Sequence, residues 1–126
     1  MVEDLSPRLK LWVEAGGRLV MSDYRVRLLE LVGESGSLAQ AAEQMGLSYR
    51  RAWGKVKEIE ANLGLALVQS EVGGAGGGHT VLSEEGRALV TGYRRFQERM
   101  GRELDAAYEA ELKGLLSTSE VDGGTT

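Results

Sequence analysis

The chain has 126 residues, 42% of them hydrophobic, which suits one modest globular core. It has no cysteine, which excludes disulfides, thiolate metal sites and a cysteine nucleophile and favours a reducing, cytoplasmic setting. The negative charge is concentrated in residues 103–126, which hold six acidic and one basic side chain. Residues 1–102 hold thirteen acidic and fourteen basic side chains, and the whole chain has a net charge of −4. With one histidine and no nucleophile–base constellation, the sequence predicts no enzyme and no cofactor or metal, and no apolar run is long enough for a membrane span.

The first predicted element is a small β-hairpin. Leu9–Glu14 alternates apolar and polar residues, Ala15-Gly16-Gly17 is a turn signal, and Arg18–Met21 continues in extended character. We therefore expect an N-terminal arm over residues 1–21 that contains this hairpin.

A helix is predicted next, over about residues 22–33. Ser22 and Asp23 offer an N-cap, and Tyr24, Leu28, Leu31 and Val32 recur at helical spacing. Gly33 is predicted to end the helix. This helix should pack on the following pair as the third member of a bundle, within a domain over residues 22–82.

The stretch Ser37–Leu63 has the pattern of two helices joined by a tight turn. Ser37 can cap the first helix, Gly46 gives the backbone freedom that ends it, and Ser48 is placed to cap the second. The second helix leaves basic residues exposed at its start and buries one apolar stripe, Ala52, Val56, Ile59 and Leu63. This arrangement is typical of a helix-turn-helix whose second, recognition helix enters the DNA major groove with its N-terminus first.

A glycine-rich hairpin and a long helix follow. Leu65–Val68 and Thr80–Leu82 are apolar and flank the glycine-rich residues 71–79, which predicts a β-hairpin wing. A helix is predicted over residues 83–116, with an apolar stripe too long for one three-helix core to cover, and the tail 117–126 is predicted to be disordered. We therefore expect a homodimer whose interface contains Leu89, Tyr93, Phe96, Met100 and Leu104.

Several residue runs add a more specific match over about residues 24–102. They are Gly36-Ser37, Ala41-Ala42, Gly46, Ser48-Tyr49 with basic residues and Ala52-Trp53 behind it, the GGxGGG loop, and Leu82-Ser83-x-x-Gly86. With the order of elements, these runs resemble the N-terminal DNA-binding domain of the ModE-type molybdate-responsive transcription regulators, relatives of the LysR-type winged helix domains. The resemblance implies a mainly α, winged helix-turn-helix homodimer that reads a palindromic operator on double-stranded DNA. None of these residues matches the molybdate-binding module of those regulators, so no residue is assigned as a molybdate ligand.

The predicted DNA contacts lie on both helices of the motif and on the wing. A bidentate guanine contact is expected from Arg50 or Arg51, and phosphate contacts from Lys55 and Lys57. Trp53 adjoins the buried stripe and is predicted to belong to the core. The predicted contact set is Ser37, Gln40, Ser48, Tyr49, Arg50, Arg51, Gly54, Lys55, Lys57, Gly76, Gly77, His79 and Thr80.

Two alternatives stay open at this stage. The same fold can serve as a winged-helix protein–protein interaction module without specific DNA binding, and only a steep salt dependence would distinguish DNA binding from it. A further alternative keeps the DNA role and adds an oxyanion sensor, either on a separate molybdate-binding partner or at the dimer interface. A nucleotide site in the glycine-rich loop is not expected, because no Lys-Ser/Thr pair follows the glycines.

Overall fold

A computed structural model describes residues 4–71 and 79–116. Residues 11–94 form one compact unit, and residues 4–10 form another with residues 95–116. The elements in chain order are β1 (Trp12–Ala15), β2 (Arg18–Ser22), α1 (Asp23–Ser35), α2 (Leu38–Gln44), α3 (Tyr49–Leu63), β3 (Val68–Glu71), β4 (His79–Leu82) and α4 (Glu84–Tyr108), with a π-helical turn at Glu109–Lys113. This order confirms the predicted mainly α, winged helix-turn-helix architecture with a long C-terminal helix.

The N-terminal hairpin is present, with β1 and β2 antiparallel. Gly16 and Gly17 have φ values of 57° and 80°, and this left-handed conformation supplies the tight turn. The predicted first strand was placed too early, because it begins at Trp12 rather than at Leu9. All four residues of β1 are exposed, whereas β2 turns Val20 and Met21 into the core.

The first helix ends later than predicted. Ser22 caps α1 by accepting a hydrogen bond from the backbone N–H of Arg25, and the helix continues through Gly33. It ends at Gly36, whose φ of 70° lets its N–H donate to the carbonyl of Val32. Gly33 instead packs closely under β4, since a Cβ built there would lie 2.9 Å from the Leu82 side chain.

The core of the 11–94 unit lies between α1, α2 and α3, with the two hairpins at its edges. A buried arginine ties three elements together: Arg25 donates to the carbonyl of Leu19 on β2 at 3.2 Å and forms an ion pair with Glu58 on α3. Asn62, near the end of α3, donates to the same carbonyl at 2.9 Å. The back of α3 is therefore fixed by polar contacts as well as by the buried Val56 and Ile59. Residues on its other faces are at least partly exposed to solvent.

The first half of α4 is held to α1 by an ion-pair network centred on Arg94. Arg94 donates to both carboxylate oxygens of Glu30 at 2.7 Å and to Asp23 at 2.8 Å. Hydrogen bonding from Arg94 is the largest influence on Glu30 and holds its pKa below the ordinary value, against the opposing effect of burial. No helix in residues 4–71 and 79–116 is long and apolar enough to cross a membrane.

Candidate nucleic-acid interface

The geometry of the helix-turn-helix is set by two serine caps and one glycine. The hydroxyl of Ser37 accepts from the backbone N–H of Gln40 at 3.0 Å, and the hydroxyl of Ser48 accepts from that of Arg51 at 3.1 Å. Between them Gly46 has a φ of 71°, and the N–H of Leu47 donates to the carbonyl of Ala42 at 2.8 Å. Both caps and the glycine turn are where the sequence predicted them.

The first turns of α3 present a polar and basic surface. Tyr49 is 56% exposed, and Arg50, Arg51 and Gly54 are also exposed. Neither arginine forms an ion pair with any residue in the described ranges 4–71 and 79–116. Both arginines are long side chains at the exposed start of a capped helix, so their guanidinium groups can reach base edges or phosphates.

Tyr24, which the sequence places among the apolar positions of α1, belongs to this surface. Its side chain is 42% exposed, and the ammonium of Lys55 on α3 lies 5.3 Å from the ring centroid. Lys55 is half-buried, with its charge held over the ring.

Trp53 is not a core residue, and that prediction is wrong. It is 37% exposed, and the ammonium of Lys57 lies 4.4 Å from its ring centroid. Lys57 also forms an ion pair with Glu60 at 3.0 Å, one turn further along α3. Burial disfavours ionisation of Glu60, but hydrogen bonds from the backbone of Leu67, from Lys57 and from Val68 outweigh it and lower its pKa.

The wing is the antiparallel pair β3–β4, with Val68 opposite Leu82 and Glu71 opposite His79. His79 is exposed, but Thr80 is 9% exposed, and its backbone N–H donates to the carbonyl of Gly36 at 3.0 Å. Thr80 therefore fastens the wing to the α1–α2 turn. The predicted contacts Gly76 and Gly77 lie outside the described residues.

The segment that leads from α3 into the wing is not the strand predicted at Leu65–Val68, since β3 begins only at Val68. The N–H groups of Leu67 and Val68 donate to the Glu60 carboxylate at 2.7 and 3.2 Å, and the carbonyl of Leu67 accepts from the N–H of Ser83 at 2.8 Å. The Leu67 N–H therefore goes to the Glu60 side chain and not to a partner strand.

The residues predicted for a dimer interface differ in exposure. Tyr93 is buried, and its hydroxyl donates to the carbonyl of Leu11 at 3.0 Å. Burial raises the pKa of this hydroxyl. Phe96 is 40% exposed, whereas Leu89, Met100 and Leu104 are half-buried. The stripe therefore combines packing inside the chain with apolar surface that remains accessible.

The fold and this surface are those of a winged helix-turn-helix domain, a class of nucleic-acid-binding domain. Residues 24–87 match the family model described as "Bacterial regulatory helix-turn-helix protein, lysR family". The match covers half of the chain, and the chain belongs to that family.

Named relatives and solved structures agree with this assignment. The chain is 35% identical over 118 residues to the molybdenum transport protein ModE of Azotobacter vinelandii, covering 93% of this chain and 40% of that protein. It is 39% identical over 79 residues to the molybdenum-pterin-binding protein MopA of Rhodobacter capsulatus, covering 63% and 29%. It is also 26% identical, with a TM-score of 0.55, to the DNA-binding domain of CbnR in a crystal structure with DNA, covering 71% of this chain and 98% of that one. The chain spans less than half the length of the curated relatives it matches.

Proposed function

We propose that this protein binds double-stranded DNA through the N-terminal half of α3 and regulates transcription. The observation that carries the proposal is the pair Arg50 and Arg51, exposed on the first turn of a serine-capped helix and without an ion-pair partner in residues 4–71 and 79–116. Arginine is suited to bidentate contact with guanine in the major groove, and each such contact discriminates against a wrong base by about 1–3 kcal/mol. The DNA complex of the similar CbnR domain supports the proposal.

The test is selection of binding sites from random duplexes, followed by affinity measurements at two salt concentrations. Replacement of Arg50 and Arg51 by alanine should abolish preference for the selected site. The matched control replaces Arg99 and Arg102 on α4, which are also exposed, and removes the same two charges. Equal loss in both double variants would show that only net charge matters, and retained site preference in the Arg50/Arg51 variant would refute the assignment of α3 as the recognition helix.

We further propose a homodimer that reads a palindromic site, with the α4 stripe as its interface. Phe96, at 40% exposed, and Leu115, at 71% exposed, leave apolar surface on the C-terminal helical segment that a second copy can bury. In a dimer, the two recognition helices should lie about 34–36 Å apart, one turn of DNA, or a multiple of it. Replacement of the half-buried Leu104 by glutamate should shift the protein to monomer in sedimentation equilibrium, whereas an unchanged dimer mass would exclude this interface.

The regulatory role proposed is linked to molybdenum, because relatives of this chain carry molybdenum transport and molybdenum-pterin-binding names. We propose a non-catalytic role in the cytoplasm, where the chain supplies DNA binding and a separate partner supplies any molybdate site. Molybdate added to the purified protein should then leave its operator affinity unchanged and give no heat in calorimetry. A molybdate-dependent change of affinity would instead place an oxyanion site on this chain or its dimer.

A further inference from the structure

The inner end of the recognition helix is joined to the wing by one carboxylate. One oxygen of Glu60 accepts from the N–H groups of Leu67 and Val68 at 2.7 and 3.2 Å, and the other accepts from the ammonium of Lys57 at 3.0 Å. The Glu60 side chain is 13% exposed, so it is largely withdrawn from water. A single buried acceptor therefore holds the first backbone groups of the wing and a cation of the recognition helix.

The same segment is held from the opposite side by the start of α4. The hydroxyl of Ser83 donates to the carbonyl of Ala66 at 2.7 Å, and its N–H donates to the carbonyl of Leu67 at 2.8 Å. Gly86 permits this approach, because a Cβ there would lie 2.2 Å from the Leu67 oxygen. Of these two attachments, only the one through Glu60 relates the wing to the recognition helix.

We propose that Lys57 and Glu60 are positioning residues that set the wing against the recognition helix, and that Lys57 is not one of the phosphate contacts. The consequence for DNA recognition rests on the proposed function, whereas the contact itself does not. Lys57 lies between the ring of Trp53 and the Glu60 carboxylate. Its charge is already compensated inside the chain.

Lys57 differs in this respect from the other basic residues of α3. Arg50 and Arg51 have no such compensation within residues 4–71 and 79–116, and Lys55 has only the Tyr24 ring. Moving Lys57 to a phosphate would leave the Glu60 carboxylate with two backbone donors and no cation. The two roles of Lys57 therefore predict opposite changes of DNA affinity when the Glu60 carboxylate is removed. If Lys57 contacts a phosphate, the substitution frees Lys57 and DNA binding becomes tighter. If Lys57 and Glu60 position the wing, DNA binding becomes weaker.

The experiment compares Glu60→Gln, Lys57→Gln and Lys55→Gln in the full chain. Glutamine keeps the size of glutamate and the polarity of the tip, and Lys57 is 49% exposed, so both variants should fold. The first measurement needs no DNA: hydrogen exchange of the Leu67 and Val68 amides by NMR, relative to the core amide of Ile59. The second is operator affinity against salt, with hydroxyl-radical footprinting of the operator flanks.

We expect the Leu67 and Val68 amides to exchange about tenfold faster in Glu60→Gln, since a buried amide loses a charged acceptor. Lys57→Gln should speed the same amides, and the two changes should be non-additive because they act through one contact. Glu60→Gln should also weaken operator binding and remove protection of the flanks, although it makes the protein less negative. Lys57→Gln should leave the salt slope unchanged, whereas Lys55→Gln, a proposed phosphate contact, should reduce it by about 0.9.

Exchange rates in both variants equal to those of the wild type would overturn the positioning role, whatever the DNA result. Tighter DNA binding by Glu60→Gln, or a salt slope that falls in Lys57→Gln as it does in Lys55→Gln, would show that Lys57 acts as a phosphate contact. If the wild type binds no DNA, the proposed function fails, and the exchange data still decide whether Lys57 and Glu60 hold the wing.

Discussion

Substitution of Gly54, a predicted DNA contact on α3, is expected to change protein stability and DNA affinity in opposite directions. Gly54 lies inside α3, is exposed, and has open space around it, since a Cβ built there meets no atom within 4 Å. Glycine in a helix interior is less stable than alanine by about 1 kcal/mol, because it loses more backbone entropy on folding. Gly54→Ala should therefore raise the melting temperature of the free protein, by roughly 4 °C for a domain of this size.

The same substitution should weaken operator binding if this part of α3 lies against DNA. A methyl group forced into a close-packed contact costs about 1–3 kcal/mol, which corresponds to a loss of affinity between about 5-fold and about 150-fold. Thermal unfolding by circular dichroism and fluorescence anisotropy with the selected operator measure the two effects separately. Gly92→Ala on α4 is the matched control, because Gly92 is also helical, exposed and open, and it should gain stability without losing affinity.

One result would contradict the stability argument, and another would contradict the DNA contact. A Gly54→Ala protein that is less stable would contradict the open surroundings of Gly54. A protein that gains stability and binds its operator as tightly as the wild type would show that DNA does not approach the helix at this residue.

Two further predictions concern the packing of α4. Gly86→Ala should destabilise the protein by about 1–3 kcal/mol in denaturant unfolding, because the new methyl would meet the Leu67 carbonyl oxygen. Gly33→Ala should cost far less stability, because its methyl meets only the flexible Leu82 side chain. Equal losses of stability in the two variants would contradict this explanation. Arg94→Met should lose stability on the order of 1 kcal/mol at neutral pH. Because the pKa of Glu30 is lowered in the folded protein, its contribution is present above the ordinary value of 4.5 and is lost as the pH falls through the folded pKa. The wild type and Arg94→Met should therefore converge in unfolding free energy in acid, and a constant difference would show that Glu30 is not the partner that matters.

Local signals in the sequence were sufficient to predict the two helices and the turn of the helix-turn-helix. Ser37, Gly46 and Ser48 act through neighbouring backbone groups, so their roles depend on residues a few positions away and can be deduced without the fold. Gly33 shows the limit of such signals. A glycine near the end of an apolar stripe indicates either a helix end or a close packing contact, and only the position of Leu82, far along the chain, shows that Gly33 is the second case.

The same limit explains the errors at Trp53 and at residues 65–68. At residues 65–68 the Glu60 carboxylate accepts from the N–H groups of Leu67 and Val68, a contact between α3 and the segment that follows it. At Trp53 the ring is 37% exposed and carries the Lys57 ammonium over it, so it lies at the surface beside the buried stripe. An acidic residue late in an amphipathic helix looks in sequence like part of a solvated face. Its function as an internal acceptor appears only when the chain has folded back on it.

The basic residues of α3 therefore cannot be treated as one charged patch. All of them lie on α3 and are at least partly exposed, yet the two arginines nearest the Ser48 cap have no charged partner in residues 4–71 and 79–116, whereas Lys57 contacts Trp53 and Glu60. A cation that neutralises a DNA phosphate releases counterions from the DNA, and a cation already paired within the protein must first give up that partner. The N-terminal turns of α3 thus account for the affinity we propose, and its later turns fix the position of the wing that completes the surface.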